Sequence, residues 1–191
     1  MKYLPLIFLF PVSNALYAQL NIKVQWTQQT TMPASEIIYY DPAKKLAWEN
    51  FRGKPVEGGR TAAITMSGFG YNASMRASGQ KGQLDVQVYC FFNKNRSWVK
   101  PGRNSSYILN HEQHHFDVSY IAANIFIDKI QSAVLTNSNY NVLISRIYDD
   151  CIGIMNKMQD DYDGQTKNGQ EKEIQAKWNK FIDDKIAGIT N

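Results

Sequence analysis

The sequence predicts an α+β protein: an N-terminal antiparallel sheet packed against a C-terminal helical half that carries an H-E-x-x-H helix. Three observations carry this prediction. Over residues 83–92, Leu84, Val86, Val88, Cys90 and Phe92 fall on one face and Gln83, Asp85, Gln87 and Tyr89 on the other. That is the alternation of a half-buried strand. From Ser105 to Ile130 no Gly or Pro occurs, and Val118, Ile121, Ala122 and Ile125 recur at helical spacing. Strand-like segments come first and helical ones afterwards, which is the order of an α+β chain rather than of alternating βα units.

The elements follow in order. Met1-Lys2, the apolar run Tyr3 to Val12 and the small residues up to Ala18 read as a secretory signal peptide, cut after Ala18 or Ala15. The apolar run is too short to span a bilayer comfortably, so no stable membrane span is expected once it is removed. The expected organisation is a signal peptide over 1–18 and one domain over 19–191, exported to the periplasm or secreted. Residues 21–26 alternate as a strand, and Ile37 to Tyr40 form a second before the Asp41-Pro42 turn. Leu46 to Pro55 is a turn anchored by Trp48 and Phe51. Thr61 to Ser67 alternates with Ala62, Ile64 and Met66 on one face, and continues through Gly68 to Tyr71, where glycines mark a bulge or a close backbone approach. Residues 78–82 form a hairpin loop. Pro101-Gly102 is a turn, and Asn104 or Ser105 caps the helix that follows. After Thr136 to Asn139 a second helix carries Leu143, Ile147, Cys151, Ile154 and Met158, and ends in an acidic turn, Asp160 to Gly164. Beyond Asn168-Gly169 a third helix runs to about Ile186 on the stripe Ile174, Trp178 and Phe181.

The chain has 191 residues, 43% hydrophobic and 13% aromatic, which is enough for one real core. Its net charge is +4, with no dense Lys/Arg stripe interleaved with aromatics, so nucleic acid is not an implied partner. Cys90 and Cys151 are the two cysteines. Export permits disulfides, so an intramolecular Cys90–Cys151 bridge is expected.

The chemistry is concentrated in Leu109 to Asp117. All three histidines lie at 111, 114 and 115. His111, Glu112 and His115 make H-E-x-x-H. Residues four apart on a helix share a face, so His111 and His115 can grip one Zn²⁺. Glu112 can then take a proton from a water on that ion. His114 points about 100° away from His115 and is expected to be a neighbour, not a ligand. Asp117, on another face, is expected to orient a ligand or a partner helix. A catalytic zinc has three protein ligands and an open position. No other histidine exists, so the third ligand is a carboxylate, a Tyr or water. Asp163, expected in a turn between two helices, is the first choice. Asp160, Asp161, Asp149 and Asp150 are alternatives. Tyr162 is a candidate donor to the oxyanion of a tetrahedral intermediate.

These pieces resemble a family of bacterial predicted secreted zinc-dependent proteases, long catalogued as a domain of unknown function. The resemblance spans nearly the whole mature chain. It rests on Leu46-Ala47-Trp48 with Phe51, Gly53 and Pro55; on Ala63 to Gly68 with Tyr71; on Ser97-Trp98; on His111 to Asp117; and on Tyr162-Asp163 with Thr166, Gly169, Gln175 and Trp178. Similarity to zincins whose third ligand is an aspartate again favours Asp163. The resemblance departs at Asn168, where the family tends to carry His. Were that histidine the third ligand, this chain would have lost it and its activity; an aspartate ligand leaves the site intact.

The expected function is an exported zinc metallopeptidase acting on a protein or peptide substrate. Zn²⁺ is held by His111, His115 and Asp163, and Glu112 is the general base. The substrate would add as a strand to an edge near Ser97-Trp98. The rival expectations are a catalytically silent periplasmic zinc-containing binding or assembly module, and a zinc amidase acting on peptidoglycan.

Overall fold

The computed structural model describes residues 20–59, 61–78 and 81–190. The expected signal segment, 1–18, lies outside them. The strands are β1 (Asn21–Trp26), β2 (Ile37–Tyr39), β3 (Ala63–Ile64), β4 (Ser67–Ser78), β5 (Lys81–Asn93) and β6 (Trp98–Val99). The helices are α1 (Ser106–Ser132), α2 (Tyr140–Thr166) and α3 (Lys172–Thr190). The chain is α+β, as its pattern of strands followed by helices predicts.

β5 organises the sheet. It pairs antiparallel with β4 along its whole length, from Ser67↔Phe92 to Ser78↔Lys81. On its other edge β1 runs parallel beside residues 83–88, and β2 runs antiparallel beside 91–93. The sheet is therefore mixed, not wholly antiparallel. One long edge is shared by two short strands, because the chain leaves β1, passes the end of β5 and turns back as β2. The alternation read from the sequence is met: Leu84, Val86, Val88 and Phe92 are fully buried and Cys90 nearly so. The glycines of β4 make no bulge, since its register is unbroken. Gly70 reflects a close approach instead: a Cβ there would lie 2.5 Å from the Tyr89 hydroxyl.

The segment 61–71 departs from the expected single strand. β3 breaks away to pair with β6 in a separate two-stranded sheet. Met66 crosses between the two sheets, its N–H donating to Ser97 Oγ at 2.9 Å and its carbonyl accepting from Asn93. The crossing inverts the expected faces, so Ala63 is buried and Ile64 is exposed.

Ser105 caps the start of α1, its hydroxyl accepting from the Ile108 N–H. It lies on the inner face of β4 and β5 and is covered from behind by α2 and α3. Phe116 meets Phe92 at 5.8 Å, and Phe126 meets Phe69 at 5.9 Å. A helix between two layers is buried on more than one face. This is why the polar residues His111, Glu112, Gln113, His114, Asp117 and Ser119 are all buried.

α2 does not stop at the acidic cluster. It is 27 residues long, contains Asp163 and is capped by Lys167 in the left-handed region. Its buried stripe is Ile144, Ile147, Cys151, Met155, Tyr162 and Thr166, not one through Ile154 and Met158. In α3 the buried residues are Gln175 and Ile182, while Phe181 is exposed. Of the expected stripe, Trp178 does pack against the core, on Tyr162 at 5.6 Å, whereas Phe181 does not.

The expected disulfide is absent: Cys90 and Cys151 are both free and buried. Cys90 faces the core from β5, whereas Cys151 sits on α2, which packs on α1. Burial raises both thiols above their ordinary range, Cys90 the further. Two thiols should titrate with a thiol reagent after denaturation and none before it. Reductant should leave Tm unchanged, since loss of a native disulfide would cost about 2–5 kcal/mol.

Candidate metal centre

The helical spacing of α1 stacks His111 and His115, and their Nε2 atoms lie 3.2 Å apart. Asp163 comes to them from the last turns of α2, with Oδ1 at 3.0 Å from His111 Nε2 and 3.1 Å from His115 Nε2. These three donors form a group that can hold a metal ion. Asp163 reaches them because it follows Met155 and Gln159 at steps of four, on the face of α2 turned toward α1. The alternatives lie elsewhere. Asp161 pairs with Lys157 at 2.6 Å, Asp160 is exposed, and Asp149 and Asp150 line a separate hollow near the start of α2.

Each histidine is held from behind by a glutamine. Gln159 Nε2 donates to the His115 carbonyl at 2.9 Å, so its Oε1 is the atom turned to His115 Nδ1. Gln175 Nε2 donates to the Tyr162 hydroxyl and to Asn179 Oδ1, leaving Oε1 to accept from His111 Nδ1 at 2.8 Å. With both Nδ1 atoms carrying hydrogen, both neutral imidazoles present a bare Nε2 lone pair to the same point. Two lone pairs and a carboxylate oxygen at such distances need a proton or a cation between them.

The electrostatics agree. Burial pulls the His115 imidazole down, but its hydrogen bond to Asp163 and the charges of Glu112 and Asp163 outweigh this and raise it above 6.5. Burial pushes the Asp163 carboxyl up, but hydrogen bonds from His111 and His115, with their charges, hold it well below the carboxylate range. Glu112 is buried, which raises its carboxyl; the two imidazoles oppose the rise. Its Oε2 has no hydrogen-bond partner among the described residues.

The donors line a cleft of about 880 Å³, together with Glu112, Gln159, Asn168 and residues 61–65. Ser97 and Trp98 do not line it; both are buried, and the strand presented to the cleft is β3. Tyr162 does not reach the cleft either. Its ring lies against His111 at 4.6 Å and 19°, and its buried hydroxyl is engaged with Gln175 and the His111 carbonyl. Tyr162 thus forms a wall behind the two imidazoles, with its hydroxyl turned away from the cleft. Asn168 stands at the cleft rim, where its N–H donates to the Asp163 carbonyl at 2.9 Å. Gly169, at φ 79°, comes so near the His111 ring that a Cβ would meet Nδ1 at 3.4 Å. Asp117 is fully buried and accepts from Tyr40 and Gln113, each at 2.8 Å, so it ties α1 to the segment after β2.

Sequence reasoning missed Gln159 and gave Gln175 no role. Gln159 had a findable signal, since it precedes Asp163 by one helical turn. No family model, curated protein or solved structure matches the chain.

Two expectations follow. Gln159→Leu should weaken metal binding about 10–100-fold with little loss of fold, read by titration calorimetry. A metal requires neutral imidazole, and His115 is held protonated above 6.5 in the metal-free chain. Affinity should therefore rise with pH through and above 6.5, level off once His115 is neutral, and be accompanied by proton release in buffers of differing ionisation heat.

Proposed function

We propose that this chain is an exported zinc-dependent metallopeptidase. The observation that carries the reading is the donor triangle of His111, His115 and Asp163 at 3.0–3.2 Å, open to a cleft with Glu112 in its wall. Ligands bound tetrahedrally to zinc at 2.0–2.2 Å stand roughly 3.3–3.6 Å apart, so a few tenths of an ångström of movement would admit the ion. Two imidazoles, one carboxylate and an open side make the donor set of a catalytic zinc rather than of a closed structural one.

When bound, the ion supplies a Lewis acid that acidifies water and polarises a carbonyl. The chain's own residues do the rest. Glu112 takes the proton of the attacking water on its carboxylate as the C–O bond forms, and delivers it to the leaving nitrogen as the C–N bond breaks. Burial, which raises its carboxyl, suits a group that must hold a proton between two steps. Gln159 and Gln175 keep the imidazoles in one tautomer. β3 and its flanking residues offer an edge along which an extended peptide can add as a strand. The secretory signal pattern over 1–18 and the resemblance to secreted zinc-dependent proteases support export.

Zinc-loaded wild type and Glu112→Gln should be compared on a peptide library. Cleavage is expected to fall by at least about 10²-fold in Glu112→Gln with zinc retained. Asp163→Ala should lose the zinc of this site, and cleavage with it. Equal, background-level cleavage by wild type and Glu112→Gln would sink the peptidase reading, and release of soluble fragments from purified sacculi alone would move the substrate to cell-wall amides.

A further inference from the structure

A second donor cluster lies on another face of the motif helix, about 110° round from the first. His114 and Asp117, one turn apart on α1, converge with Asp183 of α3, each offering a donor atom within 4.8 Å of the others. We propose that these three residues form a second metal site, taking a divalent transition ion of the zinc class and fastening α3 to α1.

The hydrogen-bond pattern points to a cation. His114 is 2% exposed. Its Nδ1 lies 2.7 Å from the Asn110 carbonyl, and a carbonyl only accepts, so Nδ1 carries the hydrogen. In neutral imidazole, Nε2 is then a bare lone pair. It has no hydrogen-bond partner among the described residues, and it faces Asp183 Oδ1 at 3.5 Å. Asp117 repeats the pattern. Its Oδ1 is engaged by Tyr40 and Gln113, while its buried Oδ2 has no hydrogen bond among the described residues. Lys45 Nζ stands 3.6 Å from Oδ2 on a side chain that is 56% exposed. One lysine offsets one of the two carboxylates, and it cannot satisfy the imidazole lone pair, which it does not face as a hydrogen-bond donor. A cation among the three answers both orphaned atoms at once.

The donor set selects the class. One imidazole with two carboxylates suits zinc and its neighbours over calcium or magnesium, which take all-oxygen shells. The 3.5 Å between His114 Nε2 and Asp183 Oδ1 is close to the ligand spacing of about 3.4 Å in tetrahedral zinc. Asp183, 64% exposed at its side chain, gives the ion a way in.

The consequence reaches the first site. α3 is attached by few buried residues, Gln175 and Ile182, and Gln175 is the residue that holds His111 Nδ1. An ion shared by α1 and α3 would pin the helix that fixes the tautomer of a ligand in the cleft.

The test uses the mature full chain loaded with zinc alone, gel-filtered and assayed for metal by elemental mass spectrometry, with Tm recorded alongside. Asp183→Asn changes a surface side chain and should leave the circular dichroism spectrum intact. Two zinc ions per wild-type chain, one in Asp183→Asn and one in Asp163→Ala, with a smaller zinc-induced rise in Tm for Asp183→Asn, is the expected result. One ion in wild type that Asp183→Asn keeps and Asp163→Ala loses would overturn the second site and leave the first standing. One ion that Asp183→Asn loses and Asp163→Ala keeps would support the second site and remove the catalytic one. No tightly held zinc in wild type would overturn both.

Discussion

Two imidazole lone pairs aimed at one point is the constraint on which the rest of the structure depends. His111 and His115 reach that arrangement only because each Nδ1–H is already engaged, one by Gln175 and the other by Gln159. The glutamines come from different helices, and so does the carboxylate that completes the group. α1 supplies the histidines, α2 supplies Gln159 and Asp163 one turn apart, and α3 supplies Gln175. The packing of three helices is thus also the alignment of three donor atoms. A small slip of α2 along α1 would separate Asp163 from both Nε2 atoms together, because it meets both through one oxygen.

Placing such a group inside a layered fold has a cost that the structure leaves visible. α1 lies between the sheet and the other two helices, so its polar residues leave water. Most are satisfied: Gln113 accepts from the Leu46 N–H, Ser119 bonds Ser67, and Asp117 takes two hydrogen bonds. The exceptions, which make no hydrogen bond among the described residues, are Glu112 Oε2, His114 Nε2 and Asp117 Oδ2. Buried polar atoms that make no hydrogen bond cost about 1–3 kcal/mol each and are retained where they serve a purpose. All three lie on one stretch of one helix, facing either the cleft or the α1–α3 junction.

The turn after α2 serves the same end. Lys167, Asn168 and Gly169 all take positive φ, reversing the chain in so little space that the Asn168 N–H closes onto Asp163 and Gly169 packs on His111. Tyr107 fastens this turn to α1 by donating to the Gly169 carbonyl at 2.7 Å. Asn168 therefore acts through its backbone, on the residue that carries the carboxylate of the group.

The sequence by itself determined what a local period can encode. The alternation at 84–92 became β5, and the uninterrupted run after Ser105 became α1. The five-residue motif put two histidines and a glutamate on adjoining positions of one helix, because a helix repeats every 3.6 residues whatever surrounds it. Asp163 could be named as a carboxylate but not placed, since its use depends on how far α2 slides along α1. Only the tertiary structure decided the parallel pairing of β1, the separation of β3, the inward turn of Gln175 and the separation of the two cysteines. The same holds for Tyr162, which stacks behind His111 instead of entering the cleft. Each depends on which surface of one element meets another. Gln159 and Gln175 show the reason most plainly: an amide on a helix reads as solvent-facing until a buried imidazole N–H from another helix requires an acceptor there.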